Sequence, residues 1–293
     1  MFDIWIPLTL LAACMQAWRN AFQKHLSQHV SITGVTLARF FWAWPVSILY
    51  VFMLYRLWPA PLPTLSPLFM LTVIAAALSQ IAATALMVSL FQQRNYAAGV
   101  GLAKSEALLA AILGVLIFGA TIQPLGWCGV TIGAIALWLM RGTVPGEASL
   151  RPLLTGLASG LCFALTSLWV REASQLQPDL PFLHAAGWVL TLTIGVQWVT
   201  LVGWLIWRDR PTLATLWRRP LDSSRVSLTS LGASIGWFTA MSLQDVALVK
   251  TLGQVEVLVT LLIAHFWFRE PVTQRDQLGL VLIVLGAICV MWQ

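Results

Sequence analysis

Two acidic residues stand where an acid is expensive: Glu106 and Glu256 each lie well inside a long apolar run. A charge at the centre of a bilayer costs at least ~2.5–3.5 kcal/mol on insertion scales, so a carboxylate kept there is a candidate for function. On a helix, Gly253, Glu256 and Thr260 fall at i, i+3 and i+7 and share one face. Ala103, Glu106 and Ala110 form the corresponding face around the first carboxylate. Small residues beside each acid leave space for a cavity or for close helix contact. Low dielectric disfavours a charged carboxylate, which makes either group a candidate proton carrier. The rival reading is structural, with the glutamates paired to Lys104, Lys250, Arg19 or Arg39, the four basic residues that also fall inside apolar runs.

Spacing weighs these pairs. Lys104 and Glu106 are two apart and point to different sides of a helix, so Lys104 is a poor direct partner for Glu106. Lys250 and Glu256 are six apart, roughly 9 Å of axial rise, and Lys250 is close enough to a helix end to snorkel. Arg19 is also near a helix end, and snorkelling is its simplest reading. Arg39 sits near mid-depth and requires a partner or water. A glutamate and a substrate carboxylate serve it equally well. Asp245, beside a predicted turn, reads as a helix N-cap. Of the deeper tryptophans, Trp237 shares a helix side with Ser230, Ser234 and Met241, and Gly232 and Gly236 allow close approach there. An aromatic wall near a carboxylate suits an organic cation through cation–π attraction, and equally an aromatic amino acid. The candidate substrate-binding or coupling residues are therefore Glu256, Glu106, Trp237, Arg39, Gly253 and Thr260.

Two other chemistries find no motif: there is no His-Glu-x-x-His and no phosphate-binding glycine loop. His25, His29, His184 and His265 complete no metal site, and Cys14, Cys128, Cys162 and Cys289 read as buried small hydrophobes. The expectation is no catalytic residue, metal, cofactor or ATP-driven engine, and no enzyme activity.

The elements that position these residues follow from composition. The chain is 293 residues long, 59% hydrophobic and 10% charged. A soluble domain carries roughly 25% charged residues, so the solvent of this chain is lipid. The net charge of +6 does not indicate a nucleic-acid partner, because the basic residues sit in short segments between apolar runs. Those runs predict ten spanning helices, at about 5–24, 31–55, 65–92, 96–118, 123–141, 151–172, 180–207, 226–244, 247–268 and 273–292. Period-two alternation is missing, which excludes a barrel. Trp5, Trp58, Trp207, Trp267 and Trp292 fall at span ends as interfacial belts. Outside the spans, eleven basic residues fall in odd-numbered loops and two, Arg56 and Arg171, in even ones. The positive-inside rule then places the odd loops in the cytoplasm and both termini outside.

A shift of 150 residues lays Glu106 on Glu256, Leu108 on Leu258, Phe118 on Phe268 and Gly129 on Gly279. Each half then has five spans, and an odd number inverts the second copy, an arrangement common among transporters. These features resemble the EamA-type branch of the drug/metabolite transporter superfamily. The carrying residues are Leu252-Gly253-Gln254-Val255-Glu256, Phe268-Arg269-Glu270-Pro271-Val272-Thr273, the final helix from Leu278 to Gly286, and Ala38-Arg39-Phe40. The first half departs at Gly119-Ala120-Thr121, which lacks the acid usual in that turn, and at Trp18-Arg19-Asn20. The resemblance implies an all-α integral membrane protein of ten transmembrane helices, built as two inverted five-helix repeats at 1–142 and 150–293. It implies a monomeric secondary transporter in a bacterial-type inner membrane, moving a small polar metabolite, an amino acid or an amine, by alternating access with proton coupling as an option. The rival readings are an intramembrane enzyme using Glu106 and Glu256 as acid and base, and a non-transporting membrane receptor.

Overall fold

Apolar runs of this length must satisfy every backbone N–H and C=O internally, and helices do so within one segment. The computed structural model describes residues 3–93, 96–106, 108–109, 112–113, 123–140, 150–270 and 273–292. Among them all regular structure is helical and there is no strand. In chain order the helices are α1 (Trp5–Leu26), α2 (Ile32–Phe41), α3 (Ala43–Leu57), α4 (Pro67–Gln93), α5 (Tyr96–Ala103), α6 (Pro124–Met140) and α7 (Leu150–Gln175). They continue as α8 (Phe182–Arg208), α9 (Arg210–Arg218), α10 (Pro220–Leu243), α11 (Val246–Leu252), α12 (Glu256–Ile263) and α13 (Gln274–Met291). A 3-10 turn, Gly253–Val255, joins α11 to α12, and a π turn, Ala264–Phe268, follows α12.

Among the described residues six segments are long and apolar enough to cross a bilayer: Ile32–Leu57, Pro67–Gln93, Leu150–Gln175, Phe182–Arg208, Pro220–Leu243 and Leu248–Phe268. Outside the described residues lie Arg94, Ala110, the stretch 114–122 with Phe118 and the Gly119-Ala120-Thr121 turn, Arg141, Pro271, Val272, Met1 and Gln293.

The sequence boundaries need four corrections. The run at 31–55 is two helices that meet at Trp42, because Pro45 has no N–H for the Phe41 carbonyl. The Trp42 N–H turns instead to Ser227 Oγ at 3.0 Å. The span expected from 226 begins at Pro220, with proline in the first turn and Asp222 beside it, both good helix starters. Arg225 is thus helical. The polar stretch before it folds into α9, where Asp209 accepts from the Thr212 N–H at 3.3 Å. Finally, Lys24 lies in the last turn of α1 and Arg171 lies within α7, and neither is in a loop.

The closest helix pairs are α4 with α7, α1 with α10, and α6 with α13. Large apolar side chains cover the outside, and several charged ones are buried within. Trp207 is 75% exposed, whereas Arg19, among the largest fully buried side chains, is 1% exposed. This is the distribution lipid demands, since long apolar side chains cost nothing there and charges must face each other. For the same reason Cys14 and Cys128 are exposed on helix surfaces, contrary to the expectation that all four thiols are buried. Trp58, Trp207, Trp267 and Trp292 are exposed at helix ends, and Trp5 is half-buried.

Candidate functional site

The two glutamate-bearing runs both break one step before the glutamate. α5 ends at Ala103, Lys104 and Ser105 form a turn, and helix resumes at Glu106. α11 ends at Leu252, Gly253–Val255 tighten into a 3-10 turn, and Glu256 opens α12. Glycine in a helix interior is ~1 kcal/mol less favourable than alanine, so Gly253 weakens its helix where the break occurs. Gly253 also serves packing, because a Cβ there would strike the Trp237 ring. Glu256 gains from standing in the first turn of its helix, where the macrodipole favours an anion.

The breaks bring four charges into two crossed pairs. Lys104 Nζ donates to Glu256 Oε2, and Lys250 Nζ lies 2.7 Å from Glu106 Oε1. Each pair joins a residue before 142 to one after 150. Sequence spacing was right that Lys104 does not serve Glu106. It was wrong that Lys250 snorkels. Lys250 points inward, because Glu106 and the face of Trp237, 4.4 Å away, both attract it. The Trp237 face is therefore occupied by the protein's own ammonium, where sequence reasoning placed a substrate cation.

Glu256 is completely buried, at 0% exposure, and has three donors. Besides Lys104 these are Gln16 Nε2 at 2.6 Å and Asn20 Nδ2 at 2.9 Å. Gln16 in turn accepts from Trp237 Nε1 at 2.9 Å. Asn20 Oδ1 accepts twice from Arg19, from Nε at 3.0 Å and from Nη2 at 2.6 Å. One network thus links α1, α10 and both breaks. Glu106 is less enclosed and adds only Ser167 Oγ at 3.0 Å. Arg39 finds no carboxylate among the described residues. Its Nε donates to Ser230 Oγ at 3.0 Å and its Nη1 to Thr84 Oγ1 at 2.7 Å, and its charge also lies near the Phe40 and Phe163 rings, 5.3 and 5.9 Å from their centroids.

These groups line one internal cavity. Arg19, Arg39, Lys104, Glu106, Lys250 and Glu256 face it, with Gln16, Gln80, Ser234, Trp237 and Met241 among its walls. The space open to the centre of a water-sized sphere is about 30 Å³, room for about two waters. Ion pairs tie the helix ends on both sides of it. At one end Lys24 meets Glu270 at 2.8 Å, and Glu270 accepts the Tyr96 N–H at 2.6 Å. At the other, Arg171 meets Asp245 at 2.6 Å. Asp245 stands at the N-cap position expected of it, its carbonyl accepting from the Val249 N–H at 3.0 Å, and pairs with this cation as well. The site is narrow and lined mostly by buried side chains.

Of the residues singled out from sequence, Glu106, Glu256, Trp237 and Arg39 meet at the cavity. Gly253 backs Trp237, and Thr260 is buried on α12 without lining the space. Arg19 does not snorkel, since Asn20 holds it inward. Gln16, Asn20 and Ser167 were missed. Gln16 and Asn20 are four apart in an apolar helix, and that polar i, i+4 pair was the available signal. Among the described residues no His, Cys, Asp or Glu group could hold a metal ion.

A solved crystal structure aligns with 98% of this chain and 98% of its own length, with a TM-score of 0.64 and 15% sequence identity. At that identity the likeness is one of fold. No curated protein matches the chain. The family model described as the EamA-like transporter family matches residues 150–292. That stretch holds Glu256 and Lys250, one member of each crossed pair, and Trp237. Residues 150–292 are thus similar to the EamA-like transporter family, and with six helices among the described residues long and apolar enough to cross a bilayer the chain is of the multi-pass membrane type.

Proposed function

We propose that the chain is a secondary transporter that moves a small polar metabolite by alternating access, with its site between two inverted five-helix halves. The observation that carries this reading is the crossing of two ion pairs at two matched helix breaks. The breaks at Lys104–Ser105 and Gly253–Val255 coincide under the same 150-residue shift that lays Glu106 on Glu256. Broken helices at the midplane are where transporters of inverted-repeat design bind substrate. The packing is reciprocal in the same sense: α1 against α10 in one half-to-half contact, α7 against α4 in the other, and α6 against α13 across the middle. An amino acid fits the cavity by carrying both signs of charge. A simple amine fits less well, because Lys250 already covers Trp237. Proton coupling would run through Glu106, the less enclosed acid. The enzyme reading requires Glu106 and Glu256 to face a substrate freely, whereas both are committed to lysines.

A thermal-shift screen of amino acids, amines, nucleosides and sugars tests the reading, because a ligand that binds the folded state stabilises it. The hit should then show saturable flux in proteoliposomes. Binding without flux would favour a receptor, and chemical turnover by the purified protein would favour an enzyme.

Two predictions arise here. Tags at Met1 and Gln293 should be reached from outside the cytoplasmic membrane, and a label in α9 should not. Cytoplasmic reporter activity at both termini would reverse that topology. Trp237→Ala, which removes the ring over Lys250 and the partner of Gln16, should weaken substrate affinity about tenfold, because the side chains it holds at the cavity wall are no longer preorganised. Trp198→Phe, which alters packing against Trp44 (centroids 4.9 Å apart), should change melting temperature and leave affinity intact. Unchanged affinity in well-folded Trp237→Ala protein would remove Trp237 from the site.

A further inference from the structure

The cavity lining holds four basic side chains, Arg19, Arg39, Lys104 and Lys250, against two acids, Glu106 and Glu256. The two acids are taken by the two lysines. Both guanidinium groups are left without a counter-carboxylate among the described residues, and both are deeply buried, at 1% exposure for Arg19 and 3% for Arg39. A guanidinium keeps its proton under all ordinary conditions, so two positive charges face a space with room for only about two waters. Their partners are neutral. Arg19 is held by an amide oxygen and Arg39 by two hydroxyls, which fix the heads in place without cancelling the charge. Arg19 Nη1 is buried and has no hydrogen-bond partner among the described residues.

We infer that the transported substrate is a small organic anion, carrying a carboxylate or phosphate-type group and a net charge of −1 or −2, and that Arg19 and Arg39 are the residues that bind it. The inference rests on the transporter reading and narrows its substrate class. It also decides what the sequence left open at Arg39, where a glutamate partner and a substrate carboxylate were equal choices, since no glutamate reaches it. An arginine offers a planar fork of donors that matches a carboxylate or phosphate with two parallel bonds, and Arg19 has a donor free for that purpose. Buried uncompensated charge is tolerated at functional sites because the ligand completes it. An acidic amino acid falls within this class. A polyamine or a neutral sugar does not, because it would leave both arginines unpaired or add a third charge of the same sign.

The test needs two measurements on the purified full chain at constant ionic strength in a chloride-free buffer. The first compares melting temperatures of the ligand-free wild type, Arg39→Met, Arg19→Met and Lys104→Met. Removing an uncompensated charge should raise the melting temperature in the two arginine variants, whereas removing half of a pair should lower it in Lys104→Met. A fall of similar size in all three overturns the inference, because the arginines would then have counter-charges of their own. The second measures the melting shift with succinate, glutamate and 3-phosphoglycerate against succinamide, glutamine, glycerol, putrescine and sodium chloride. At least one organic anion should give a saturable rise of several degrees that its neutral counterpart does not, and Arg39→Met should abolish it. Equal stabilisation by glutamine, putrescine or chloride, or no shift with any anion, overturns the anion assignment and leaves the transporter reading standing. An anion that stabilises the wild type but shows no flux in proteoliposomes does the reverse.

Discussion

Glu256→Gln abolishes uptake into proteoliposomes while the protein still folds: this is the expected result with the largest effect. Glu256 accepts from Lys104, Gln16 and Asn20 together, and a glutamine offers one acceptor oxygen where the carboxylate offers two. Lys104 would be left in the interior with its charge unpaired. Breaking one partner of a buried pair costs about 3–5 kcal/mol, so the melting temperature should fall as well. Stability and function are separated by the double variant Glu256→Gln with Lys104→Met. It removes both charges and should recover melting temperature but not flux. Wild-type flux in either protein across pH 5 to 8 would return Glu256 to a purely structural role. Glu106→Gln should be milder, or should mainly change the pH dependence of transport. Its lysine partner, Lys250, keeps the Trp237 ring 4.4 Å away and is not abandoned.

The second large effect is expected at Gly286 on α13. A Cβ at Gly286 would lie 2.7 Å from the Gly129 carbonyl oxygen and 3.1 Å from the Gly133 backbone nitrogen. These are backbone atoms of α6, which cannot swing aside as a side chain can. In lipid, helix pairs hold through close backbone approach at small residues, with no hydrophobic drive to re-form a separated contact. Gly286→Leu should therefore cost at least the ~1–3 kcal/mol typical of overpacking, seen as a melting temperature several degrees lower together with reduced flux. Gly286→Ala should fall between. A Leu variant that melts with the wild type would show that α6 and α13 do not depend on this approach.

The glutamates were legible in the sequence for a simple reason. An acid in an apolar run has no cheap structural excuse, and both acids do reach the cavity. The small-residue face around Glu256 was legible too, although its parts proved to serve packing, with Gly253 making way for Trp237 and Thr260 turned into the protein. What the sequence hid was pairing between halves. Lys104 and Lys250 each look badly placed beside the nearest glutamate along the chain, and the partner they find is about 150 residues away. Reading Lys250 and Arg19 as snorkelling failed because that judgement used depth alone. Direction is set by a neighbour, Trp237 for one and Asn20 for the other, and one-dimensional spacing does not report it. The break at Trp42 was predictable from Pro45. The breaks before Glu106 and Glu256 were not, because Ser105 and Gly253 only weaken a helix and tertiary contacts decide whether it yields.

The central claim is that the charged cavity opens alternately to the two sides of the membrane. Ser234 lines that cavity, and a cysteine there reports on water access without knowledge of the substrate. With Cys14, Cys128, Cys162 and Cys289 replaced by alanine, the Ser234→Cys protein should be placed in sealed vesicles of each orientation and treated with a membrane-impermeant maleimide. The account predicts modification from both sides, slowed by any ligand that stabilises the protein. Modification from one side only, or from neither, would contradict it.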